Sequence, residues 1–254
     1  MLAALKSEYL KLVTIRSTYI ISGLALAFIV FLSFFIEGFK GASGSAASMG
    51  AETAFAEMIM NVGGLASAFG ALVVILLAAH EYRHNTIVYT LTAANNRTKV
   101  LLAKIAVTIG YSLAFLAIAI GVGIGSYALG MAVTPRLVEL APQTVELAMV
   151  GRLVFYMVGM SLMALLITFL VRHLVGAIAI IFMVPNTVEP LLGLLLKENA
   201  VYLPFSVFNQ VLMPGQQMAV PGSLSAGTAI YISLLYLVVG WFIAWALFMR
   251  RDAN

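Results

Sequence analysis

The sequence predicts an all-α integral membrane protein with six transmembrane helices. Three observations carry that expectation. Its 254 residues are 63% hydrophobic and only 9% charged, with a mean hydropathy of +1.06, far more apolar than a water-soluble domain of this length. Six apolar runs, at 19–36, 58–79, 105–131, 149–171, 174–196 and 228–249, approach or exceed the roughly 20 residues needed to cross about 30 Å of hydrocarbon. The third observation is the sidedness of the basic residues between those runs.

Residues 1–18 precede the first run. Leu2, Leu5, Tyr9, Leu12 and Val13 recur at helical spacing, with Ser7, Lys11 and Thr14 opposite, the pattern of a helix lying in the membrane plane. Lys6 sits at the boundary, where its stem can rest on apolar surface while its amine reaches lipid headgroups. The first run is longer than the apolar region of a signal peptide, so Ala42-Ser43-Gly44 is read as part of a small, polar external connection over 37–57, not as a cleavage site.

An even number of spans puts both termini, the 80–104 loop and the Arg172-His173 hairpin on one side. That side carries Lys6, Lys11, Arg16, Arg83, Arg97, Lys99, Lys104, Arg172, Arg250 and Arg251, whereas the other has Lys40, Arg136, Arg152 and Lys197. Short basic loops stay cytoplasmic, so the termini are expected in the cytoplasm and the protein in the cell (plasma or inner) membrane. The chain reads as a single domain over 1–254. It has no cysteine, which removes disulfides and thiolate chemistry, and its net charge of +4 follows from topology and does not indicate nucleic acid.

Glycines cluster in the second and third runs. Gly121-x-x-x-Gly125 is expected to allow close helix packing. The fifth run contains VPNTVEP, with Pro185 and Pro190 flanking Glu189. Proline deletes a helical hydrogen bond, so a broken span is expected, with Glu189 roughly 24 Å from His173, near the outer edge of the hydrocarbon. The following LLGLLLKENAVYLPFSVFNQVLMP suggests short helices dipping back into the outer leaflet.

Between the second and third runs, HEYRH (His80-Glu81-Tyr82-Arg83-His84) fits the H-E-x-x-H pattern, in which two histidines four apart share a zinc ion and the glutamate polarises water. A membrane zinc metalloprotease is therefore one reading. Against it, a catalytic zinc needs a third protein ligand, few candidates beyond His173 exist, and Arg83 lies between the histidines. The same stretch continues into Ile87, Val88 and Leu91, an apolar strip flanked by Thr86 and Thr90. That is a short amphipathic segment able to lie on headgroups or enter a groove on a soluble partner.

Three segments resemble the permease subunits of type-2 ATP-binding-cassette (ABC) exporters. SEYLKLVTIRSTY, with Glu8, Tyr9, Lys11 and Arg16, is similar to the family's in-plane elbow helix. EYRHNTIVYTLTAANNRTKVLLAK resembles the cytoplasmic loop containing the coupling helix, which implies ATPase docking by Glu81, Tyr82, Arg83, Thr86, Ile87, Val88, Thr90, Leu91 and Arg97. VEPLLGLLL and YLPFSVFNQ resemble the broken fifth span and re-entrant outer helices, which implies an outer gate around Pro185, Glu189 and Pro190. The chain departs from the family at Asn85 and at Ala94-Asn95-Asn96, where glycine and proline are common.

The resemblance implies an export permease, not an enzyme. No G-x-x-x-x-G-K-[ST] phosphate loop is present, so ATP and magnesium belong to a separate cassette ATPase, two copies per complex, and this chain itself binds no cofactor and no metal. A second permease copy or homologue would complete the path through the lipid bilayer. A cargo that is hydrophobic or amphipathic, such as a drug, peptide or lipid, suits spans without mid-depth charge, which also disfavours an ion-coupled carrier. A further alternative is a non-transporting component that transmits conformational change.

Overall fold

The computed structural model describes residues 2–36, 51–83, 97–133, 147–213 and 223–250, and these are helical almost throughout. Helix α1 spans Leu2–Thr14 and α2 Arg16–Phe31, the latter ending in a π-helical turn, Leu32–Ile36. Helices α3 (Ala51–Arg83), α4 (Arg97–Val133) and α5 (Leu147–Val171) follow. Then come α6 (Leu174–Met183), a π-helical turn (Val184–Val188), α7 (Glu189–Leu196), a 3-10 segment (Lys197–Tyr202), α8 (Pro204–Leu212) and α9 (Ala226–Arg250).

Six of these segments are long and apolar enough to cross a bilayer, which makes the chain a multi-pass membrane protein. Helices α3 and α5 form the centre: 61% and 67% of their most apolar windows are buried, against 17–28% for the other four. Their contact is close because Gly63 faces Leu153 with no room for a β-carbon. Around this pair Met58, Ile75, Leu153 and Met157 are fully enclosed. The outer helices turn side chains such as Tyr231, Val238 and Phe242 outward, as lipid-facing surfaces require.

Several expectations need correction. Residues 1–18 do not form one helix: Ile15 is extended (φ −79°, ψ 117°), and Arg16 already belongs to α2. Tyr19 secures the bend, its hydroxyl donating at 2.8 Å to the Val13 carbonyl, one of the carbonyls a helix end leaves over. Helix α3 starts at Ala51, inside the stretch read as connector, and α4 starts at Arg97, so Arg97, Lys99 and Lys104 lie on the third long helix. At about 1.5 Å per residue α3 and α4 reach roughly 50 and 55 Å, well beyond the hydrocarbon thickness.

The fifth crossing stays helical through its prolines, from 174 to 196, and is interrupted only beyond them, at Lys197 (φ 51°, ψ −124°), where a 3-10 segment begins. Pro185 and Pro190 cannot donate to the carbonyls one turn earlier, and a widened turn accommodates them: the Glu189 N–H reaches back to Val184. The Asn186 side-chain amide donates to the Phe182 carbonyl at 2.8 Å. Glycine use also differs from expectation. A β-carbon on Gly121 or Gly125 would meet nothing within 4 Å, whereas on Gly123 it would lie 2.9 Å from Val62 and on Gly130 2.8 Å from the Phe34 carbonyl oxygen. The close approaches of α4 are made by Gly123 and Gly130, on a different face from the expected pair.

Candidate functional site

The structure fixes the two roots of the 80–104 region. Residues 84–96, including His84, Thr86, Ile87, Val88, Thr90 and Leu91, lie outside the described residues. Glu81 and Arg83 end α3, and Arg97 begins α4.

Helix α1 lies along α4 with Glu8 turned inward. Positions three apart share a helix face, so Lys11 follows Glu8 toward the bundle, where the last turn of α3 presents Glu81 and the third turn of α4 presents Lys104. The Lys11 ammonium donates to Glu8 Oε1 at 2.6 Å and to Glu81 Oε1 at 2.8 Å. Lys104 donates to Glu8 Oε2 at 2.8 Å and to Glu81 Oε1. Glu8, Glu81 and Lys104 are only 5–8% exposed. Two carboxylates and two ammoniums close a ring of formal charge zero, tying α1 to the successive helices α3 and α4. A charge is costly to bury unless compensated by opposite charge and hydrogen bonds; here each ammonium reaches both carboxylates. Burial opposes the charged form of Lys11, but the Glu81 and Glu8 carboxylates outweigh it and hold the Lys11 pKa above its ordinary value of 10.5. A cavity of about 30 Å³ adjoins the ring, enough for a water molecule.

Beside the ring, Tyr82 meets the Phe169 edge at a centroid distance of 6.1 Å, and Phe169 packs on Trp241 and Phe248. The Arg172 guanidinium stands 5.6 Å above the Tyr82 ring, within cation–π range. Arg172 occupies the left-handed region (φ 54°), which permits the abrupt reversal into α6. His173 then caps α6, its Nδ1 accepting from the Gly176 N–H at 3.2 Å. Arg97 donates to the carbonyls of Phe248 at 3.1 Å and Met249 at 3.4 Å, covering the last turn of α9 where a helix favours a cation. The ends of α3, α5 and α9 and the start of α4 therefore meet at one end of the bundle, as an even number of crossings requires.

The predicted docking residues separate accordingly. Glu81 is buried in the ionic ring, and the half-buried Tyr82 and Arg97 contact Phe169 and the end of α9. Arg83 is exposed. Of the elbow residues, Glu8 and Lys11 enter the ionic ring, whereas Tyr9 and Arg16 are exposed. The expected division of α1 is thus corrected: Lys11 turns to the bundle, while Tyr9 and Val13 do not.

At the other end, Glu189 is 2% exposed and accepts from the backbone N–H groups of Phe205 at 2.8 Å and Ser206 at 2.6 Å and from the Ser206 hydroxyl at 2.6 Å. It is a remote cap for α8: a carboxylate placed at the positive end of a helix, whose first N–H groups have no internal partner. Pro204 opens that helix, where its missing N–H costs nothing. Helix α8 packs between α5 and α9, with Phe208 against Gly159 and Val207 and Val211 beside Ala229. Between α8 and the π-turn lies a cavity of about 140 Å³ lined by Tyr156, Asn186 and Asn209 as well as Pro185; the Tyr156 hydroxyl donates to Asn209 Oδ1 at 3.2 Å. Pro190 lies in the first turn of α7.

Lys104, Ser206, Asn209 and Tyr156 were missed by sequence reasoning. For Lys104 one signal exists: a lysine set among Leu101, Leu102, Ala103 and Ile105 needs a buried acid if that stretch is helical. Nothing in the local pattern pairs Ser206 with Glu189. As for metal, among the described residues no three His, Cys, Asp or Glu side chains converge, and His84 lies outside them. Glu81 of HEYRH is held between two ammoniums.

Helices, buried ion pairs and apolar outer faces together define an all-helical, multi-pass membrane protein. The chain belongs to the family described as Protein of unknown function (DUF2705), whose profile matches residues 19–253. No curated protein matches it.

Proposed function

We propose that this chain is the membrane-spanning permease subunit of an ATP-driven ABC exporter. The observation that carries the reading is the ionic ring. Helices α3 and α4 are joined by residues 84–96, here called the tip, whose sequence carries the apolar residues Ile87, Val88 and Leu91. Glu81 and Lys104 at its two roots are bound to Glu8 and Lys11 of the helix that precedes the first crossing. On this reading a displacement of the tip passes through the ring to α1 and into the bundle.

On this reading α1 is the in-plane elbow, the tip is a cytoplasmic coupling helix gripped by a cassette ATPase in two copies, and a second permease copy or homologue completes the path. ATP and magnesium act in the ATPase. Helix α8, capped by Glu189, is the re-entrant outer helix of the gate, both termini are cytoplasmic, and the cargo is hydrophobic or amphipathic. The test is whether a cassette ATPase is encoded beside this chain and co-purifies with it. Ile87→Asp and Leu91→Asp are expected to abolish association with normal membrane insertion; unchanged association overturns the docking role. Vectorial cargo movement in proteoliposomes separates an exporter from a component that only transmits conformational change.

The metalloprotease reading asks Glu81 to polarise a zinc-bound water. In the structure that carboxylate accepts from Lys11 and Lys104 instead, which favours a structural role for it. Metal analysis of the purified chain and of Glu81→Gln separates the two readings, since only the protease requires bound zinc and a cleavage activity that the substitution removes.

A further inference from the structure

Between α1 and α4 runs an open apolar groove of about 680 Å³. Leu5 and Tyr9 line one wall and Ala106, Gly110 and Ala114 the other, with Lys6 among the lining residues. For scale, a closed cavity of about 150 Å³ takes a benzene ring, so this space accommodates several times that volume of hydrocarbon. Elsewhere on α4 Leu102, Leu113 and Ile118 are exposed, as side chains that face acyl chains are in a protein of this class. The space above Gly110 is open: a β-carbon there would meet nothing within 4 Å.

Charge selects the occupant. Lys6 is the one ionisable ammonium or carboxylate among the groove's lining residues, and among the described residues it forms no ion pair. Glu8, the nearest acid on α1, turns away into the ionic ring with both oxygens engaged. A lysine with a long apolar stem at the edge of a hydrocarbon groove keeps its ammonium in the headgroup layer, where it attracts anionic lipid at about 1 kcal/mol per basic residue.

We infer that the α1–α4 groove is a binding site for an anionic phospholipid, one acyl chain lying between Leu5, Tyr9 and Gly110 and the phosphate headgroup on Lys6. The inference rests on the reading of α1 as a helix in the membrane plane. Lipid bound there braces α1 against α4 immediately beside the ionic ring, so bilayer charge bears on the hairpin that the ring holds.

The test uses the full chain in nanodiscs of phosphatidylcholine carrying a trace of acyl-chain diazirine lipid, either phosphatidylglycerol or phosphatidylcholine, with crosslinks mapped by peptide mass spectrometry. Labelling of residues 106–114 and of α1 is expected to favour the anionic probe about fivefold, the ratio equivalent to roughly 1 kcal/mol at 25 °C. Lys6→Gln should equalise the two probes and Lys6→Arg restore the preference. Gly110→Leu, which fills the groove, should cut labelling by both probes while labelling at Ile118 persists. Equal labelling by the two probes, or labelling indifferent to Gly110→Leu, overturns the site but leaves α1 in the membrane plane. Absence of any lipid label on α1, with Ile118 still labelled, overturns both.

Discussion

Glu81→Gln is the sharpest perturbation of the ionic ring. The ring holds two acids and two bases, so the substitution leaves one uncompensated positive charge among side chains of which Glu8 and Lys104 are 8% and 5% exposed. Removing one partner of a buried pair costs about 3–5 kcal/mol. In a domain of this size each kcal/mol moves the melting temperature by roughly 2–4 °C, so a fall of about 6 °C or more is expected. Glu81→Leu combined with Lys104→Met deletes one charge of each sign and leaves Glu8 with Lys11. Replacing a buried pair by apolar groups is often close to neutral, so the double variant should recover most of the loss. The assay is thermal unfolding in mild detergent, followed by helical circular dichroism and arranged as a double-mutant cycle. Glu81→Gln melting within about 1 °C of the parent, or additive single substitutions, would refute the coupling argument. Because the Lys11 pKa is raised, its share is fully present below pH 10.5 and is lost as pH climbs through the raised value. The penalty of Lys11→Gln should therefore shrink above that pH.

Two other outcomes follow from named contacts. Glu189→Ala strands the N–H groups that open α8, and loss of a cap costs about 0.5–2 kcal/mol; hydrogen exchange over 204–212 should accelerate while α3 stays protected, and uniform protection in both would contradict the capping role. Gly123→Ala should cost about 1–3 kcal/mol through overpacking against Val62, whereas Gly121→Ala, with open space around it, should leave the melting temperature unchanged or raised; the reverse order would place the α3–α4 contact on the wrong face.

Much of this protein was legible in one dimension. Six crossings follow from the length and apolarity of their runs, because a bilayer imposes both on any helix within it, and the family match over 19–253 spans the same region. The disturbance at Pro185 and Pro190 was visible because proline has no N–H in any context, although the outcome, a π-turn and not a break, depended on Asn186 and on the neighbours of α6 and α7. Helix ends were less legible: Arg97 and Lys99 are polar enough to suggest a loop, yet α4 includes both.

The sequence by itself determined that the chain lives in a membrane, how often it crosses and where its fifth crossing is disturbed, since these depend on composition along a single segment. Only the tertiary structure decided that Glu8, Lys11, Glu81 and Lys104 form one neutral ring, that Glu189 caps a helix sixteen residues downstream, and that Gly123, not Gly121, makes the close approach. Those facts turn on which helix faces meet. A buried charge must find its opposite wherever the packing brings one, and that choice is made between helices distant in sequence.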